Sequence, residues 1–114
     1  MKHRYVLLVL LLTSTLVMAQ SDRILQEEQR LRNLTLPSAQ IDKLLELSAL
    51  YAQEAKFSEA LAKAERAHQL AQSRGDVARR VAALRQQASV LWQRKDGKDA
   101  AGKLEQGYTL LMPN

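Results

Sequence analysis

The 114-residue chain contains no cysteine, one tryptophan, one phenylalanine, two prolines and four glycines. Without cysteine there is no disulfide framework, no thiol nucleophile and no thiolate ligand for a metal. The four glycines are scattered, so no glycine-rich phosphate loop can be drawn. Strand-like alternation of apolar and polar residues is missing as well, which removes sheets from the candidate architectures. Large side chains are scarce: after the first 19 residues, 40 of the remaining 95 are hydrophobic, and 15 of those 40 are alanine. A core built on alanine is thin, because a buried Leu or Phe contributes about 1.5–3 kcal/mol and Ala far less. Helix packing has to hold such a chain without covalent help.

What is present begins with a basic start, Lys2, His3 and Arg4, followed by the apolar run Val6 to Leu12 and then Leu16, Val17, Met18 and Ala19. That order is the plan of a secretory signal peptide, with cleavage expected after Ala19. The alternative is a membrane anchor kept by an uncleaved N-terminal segment. Val6 to Met18 is short for that, since a spanning helix takes roughly 20 residues. The expected location is therefore periplasmic or secreted, with no stable membrane insertion after cleavage.

Charge is unevenly placed along the rest. Residues 20–65 hold six Lys/Arg against eight Asp/Glu, whereas residues 66–114 hold nine against four. The second half alone is basic, which admits adhesion to an anionic polymer or lipid surface as one class of function. Export makes nucleic acid an unexpected partner.

Helical periodicity runs through the whole of this part. Ser21 or Asp22 opens a first helix over about 22–33, and Leu36 and Pro37 break it. Ser38 is the expected cap of a second helix, in which Ile41, Leu44, Leu45, Ser48, Tyr51, Ala52 and Ala55 share a face. Ser58 is the expected cap of a third, ending near Ser73 with Gly75 in the left-handed conformation. Asp76 caps a fourth, and a last helix is expected from Asp99 to Met112, stopped by Pro113.

Within the third helix Ala60, Ala64, Ala67 and Ala71 recur at steps of four, three and four, a smooth strip that lets a neighbouring helix approach closely. Shifting the chain by 40 residues sets Leu44 on Leu84, Ser48 on Ala88, Tyr51 on Leu91, Ala60 on Ala100 and Ala67 on Gly107. A shift of 41 for the fourth helix would instead set Tyr51 on Trp92. Either register describes two copies of a helix hairpin.

The stretch LLELSALYAQEAKFSEALAKAERAHQL resembles a tetratricopeptide repeat. Leu44, the Leu47-Ser48 pair, Tyr51, Phe57, Ala60 and Ala67 stand at its signature positions; Ala64 and Gln72 depart from it, and the copy over residues 80–111 is weaker. The resemblance implies an all-α fold: a short right-handed stack of antiparallel hairpins, 38–74 and 76–112, behind an N-terminal capping helix and linker at 20–37. It also implies a groove for a partner peptide or helix, formed by Leu45, Ala49, Ala52 and Gln53 from the first hairpin and Arg85, Ser89, Trp92 and Gln93 from the second.

Catalysis is not expected. His68 is the sole histidine after residue 19, and Glu27 and Glu28 are sequence neighbours that point apart on a helix. No cofactor or metal is implied. The expected role is an exported, non-enzymatic protein-interaction module, an adaptor or assembly factor of a cell-envelope complex. Two repeats fall below the three that usually bury a continuous core. The expected compensation is a homodimer through Leu104, Tyr108 and Leu111 of the terminal helix, or stabilisation on binding the partner.

Overall fold

A computed structural model describes residues 22–112. The signal segment assigned to residues 1–19 and the stop at Pro113 lie outside the described residues. The described chain is all-α. Helix α1 covers residues 22–33, and α2 (Pro37–Gln53), α3 (Phe57–Ser73), α4 (Val77–Gln93) and α5 (Gly97–Leu111) follow. Each helix packs on the next, and α4 also touches α2.

Helices α2 to α5 begin at residues 37, 57, 77 and 97, a spacing of 20. The turns between them repeat just as closely. Ala55, Gly75 and Lys95 each adopt a positive φ, of 58°, 67° and 66°. In each turn the next amide, of Lys56, Asp76 or Asp96, donates back to the carbonyl five residues earlier, on Tyr51, Ala71 or Leu91. This is the Schellman closure, which satisfies carbonyls that the helix end leaves open. Three such turns reverse the chain three times, so consecutive helices run antiparallel while α2 and α4 run parallel.

Several expected helix starts shift. Pro37 is itself the first residue of α2, where its missing N–H costs nothing, and Leu36 rather than Ser38 stands at the cap position. Lys56 precedes α3 with no side-chain cap, so Ser58 does not serve as one. The last helix starts at Gly97 rather than Asp99. Ala55, expected on the face of α2, sits in the turn. Asp76 does cap α4, accepting from the Arg79 amide at 3.1 Å.

The alanine strip forms the centre of the molecule. Ala60, Ala64, Ala67 and Ala71 have no exposed surface, enclosed by α2 on one side and α4 on the other. Ser48 links all three helices: its Oγ donates to the Ala60 carbonyl at 2.7 Å and accepts from Gln86 Nε2 at 3.2 Å. A hydroxyl bonded to a neighbouring helix's backbone is possible only because Ala60 presents no bulk there. Leu91 is buried and Trp92 is exposed, so the register of the repeat is 40 throughout the fourth helix.

Helix α1 lies over α2. Ile24 packs with Leu47 and Leu50, flanked by Leu31 and Tyr51. Its two adjacent carboxylates diverge: Glu27 is buried and bonded by Lys43 and Arg30, while Glu28 accepts from Tyr51 Oη at 2.9 Å and pairs with Lys63. Both carboxyls are held below the ordinary glutamate range. For Glu27 the Lys43 hydrogen bond is the main cause; for Glu28 burial pushes upward, but the bonds from Lys63 and Tyr51 outweigh it.

Candidate functional site

Residues proposed for a groove on the sequence divide into two groups. Those of α2 are mostly covered by α4. Ala52 is buried against Ala60 and Val90, so it offers no surface to a ligand. Leu45 is half-buried against the cluster of Ile41, Leu44, Ala67, Ala71 and Ala83, and Ala49 is half-buried beside it on the same helix. Only Gln53, at the end of α2, is exposed.

Those of α4 are open. Arg85, Ser89, Trp92 and Gln93 fall at helical spacing on one face, and all four are exposed. Trp92 is 72% exposed, with its ring edge against Gly97, where an added Cβ would come within 3.4 Å of it. Gln93 Nε2 donates to Ser89 Oγ at 3.3 Å. Arg85 makes no ion pair among the described residues. The difference between the groups follows from position in the stack. Each hairpin's outer face is covered by the hairpin after it, and among the described residues nothing follows α5.

Beside this face, α5 adds Leu104, Tyr108 and Leu111, which are 40%, 64% and 61% exposed. Val81, Arg85, Leu104, Gly107, Tyr108 and Leu111 enclose a groove of about 290 Å³ between α4 and α5. A second cleft, of about 510 Å³, lies on the side of α3 and α5; Leu61 and Leu91 form its floor, and Glu65, Arg94, Lys98 and Lys103 stand among its walls.

His68 is engaged inside the stack. Its Nε2 accepts from Arg80 Nε at 3.2 Å, which requires the neutral ring. Burial, and then the charges of Arg80 and Lys103, push its pKa below the ordinary histidine value. Among the described residues no group of three His, Asp or Glu could hold a metal ion. No helix among them is long and apolar enough to cross a membrane.

The sequence pattern could not separate Ala52 from Trp92, which occupy equivalent positions 40 residues apart. One is under a helix and the other is bare. The signal that could have separated them is size, since only a small residue fits beneath a closely stacked helix.

No protein-family model, no curated protein and no solved structure matches the chain.

Proposed function

We propose that this chain is an exported, tetratricopeptide-like interaction module: a non-enzymatic adaptor or assembly factor that holds a partner protein in the cell envelope. Export rests on the pattern of residues 1–19, and the repeat resemblance rests on the hairpin residues together with the 20-residue spacing of helices and turns. The observation that carries the reading is Trp92, a large aromatic 72% exposed on the open end of the stack and accompanied on its face by the unpaired Arg85. Tryptophan and arginine are the residue types that most often dominate binding energy at protein interfaces. A solvated tryptophan contributes nothing to the core, so its place on a bare face is best explained by something that covers it.

The test is a pull-down from envelope extract with residues 20–114 in moderate salt, repeated with Arg85→Glu and Trp92→Ala. A defined protein captured by wild type and lost with both variants supports the reading. Capture unaffected by either variant overturns it.

A second reading has its own observation. Of the nine Lys/Arg in residues 66–114, only Arg79 and Arg94 form ion pairs among the described residues. The others are available to an anionic polymer or lipid surface. Retention on anionic vesicles that disappears between low and physiological salt, without a captured protein, would favour it.

A further inference from the structure

The first hairpin shows what its groove takes. Ile41, Leu45, Ala64, Ala67, His68 and Ala71 line the channel between α2 and α3, and α4 is laid into it. Ala83, fully buried, packs with Ile41, Ala67 and Ala71. Arg80 bonds His68, and Gln87 Nε2 reaches the Ala64 carbonyl at 3.5 Å. Parallel register is fixed by Arg79 on Asp42, Gln86 on Ser48 and Val90 against Ala52.

Forty residues on, the same six positions are Val81, Arg85, Leu104, Gly107, Tyr108 and Leu111, the lining of the open α4–α5 groove. We propose that this groove seats an α-helix of a partner protein, laid parallel to α4 as α4 is laid on α2. The helix carries Ala or Gly at the place of Ala83 and a carboxylate beside Arg85. The inference rests on the interaction-module reading above and names the form of the partner.

Each part of the description comes from a difference between the two grooves. Leu104 and Leu111 replace Ala64 and Ala71, which narrows the channel and demands a small residue from the occupant. Arg85 replaces Leu45, and a helix laid over it removes water from an unpaired cation, which needs a counter-charge. Tyr108 replaces His68 and can receive a cation where Arg80 stands in the first groove. A second copy docked face to face would set Arg85 near Arg85 and join two halves that each carry nine Lys/Arg against four Asp/Glu. That charge distribution selects a partner helix over a second copy.

Trp92, the sole tryptophan, stands at the equivalent of Ala52, so the occupant's last turn covers it and its emission reports binding. The probe is a peptide copying residues 77–91 with Ala82→Glu, which places the carboxylate next to Arg85. A side-chain staple joins the positions of Leu84 and Ala88, which face α5 in the chain. The full mature domain should give a saturable blue shift. Arg85→Glu should weaken binding by about tenfold or more, and a peptide with Lys in place of that Glu should restore it. Circular dichroism verifies that the variant stays folded.

No saturable shift up to millimolar peptide, or equal binding of the Glu and Lys peptides to the wild-type domain, overturns the inference. A blue shift that appears on raising the protein concentration alone, together with a dimer in light scattering, assigns the groove to a second copy and overturns it too. If the peptide fails while the pull-down still captures a Trp92-dependent protein, this groove is wrong and the module reading stands. If both fail, the module reading falls with it.

Discussion

Ala55 and Lys95 hold a backbone conformation that glycine adopts without penalty. At φ near +60° the Cβ of an L-residue crowds the following carbonyl, at a cost of about 1–2 kcal/mol. Gly75, at the equivalent place in the middle turn, avoids it. Both side chains are exposed and Lys95 makes no ion pair among the described residues, so little is lost by removing them. Ala55→Gly and Lys95→Gly should each raise unfolding stability by about 0.5–1 kcal/mol after the extra freedom of glycine in the unfolded chain is subtracted. Gly75→Ala should lower it by a similar amount. Urea titration of the three variants checks this, and an opposite sign for both glycine substitutions would mean that the turns relax rather than hold strain. Gly75 was legible in the sequence because glycine after a helical pattern marks such an end. Its two equivalents were not, because their conformation is imposed by the hydrogen bonds of Lys56 and Asp96 to the preceding helix and not by their own side chains.

The third helix is defined by what its neighbours leave no room for. Ala67 has no exposed surface and meets α2 and α4 together, whereas Ala62 lies on the solvent side of the same helix. Ala67→Leu should therefore destabilise by about 1–3 kcal/mol or more, since overpacking pushes two helices at once, and Ala62→Leu should shift stability by about 0.5 kcal/mol or less. Thermal melts that move equally for both would contradict the close packing. This strip could be read from the sequence because steps of four and three define one helix face whatever lies against it. The fate of Leu45, Ala49 and Ala52 could not, since small and aliphatic residues suit equally a face that meets a ligand and a face that meets the next helix. Helix starts were misplaced for a related reason. Ser38 and Ser58 look like caps, but the repeated three-residue turns already fix where α3 begins, and Pro37 fixes α2.

At the scale of the whole molecule, the two ends of the stack are closed differently. The α5 end leaves Leu104, Tyr108 and Leu111 bare, while the α1 end is covered by a short helix fastened mainly through carboxylates. Ile24 and Leu31 supply its apolar contact, and Glu27 and Glu28 bind Lys43, Arg30, Lys63 and Tyr51 on and around α2. Tyr51 responds in turn: burial first, and then the hydrogen bond to Glu28, push its hydroxyl up to about 12. Since both carboxyls titrate below their unfolded value of about 4.3, the unfolded or detached helix binds more protons than the docked one in acid. The stabilisation is fully present above that value and is lost as pH falls through the depressed folded values. Acidification from pH 6 toward pH 3 should thus release α1 before the alanine-packed helices, whose contacts carry no carboxylate of comparable burial. Hydrogen exchange followed by mass spectrometry should show protection in residues 22–33 falling first, with residues 60–71 retained. Glu27→Gln should show the same loss already at neutral pH, because Lys43 then keeps only Glu46 as an ionic partner. Uniform loss of protection across all helices in acid would show that α1 and the hairpins form one cooperative unit, and that the carboxylates stabilise the whole stack rather than its cap.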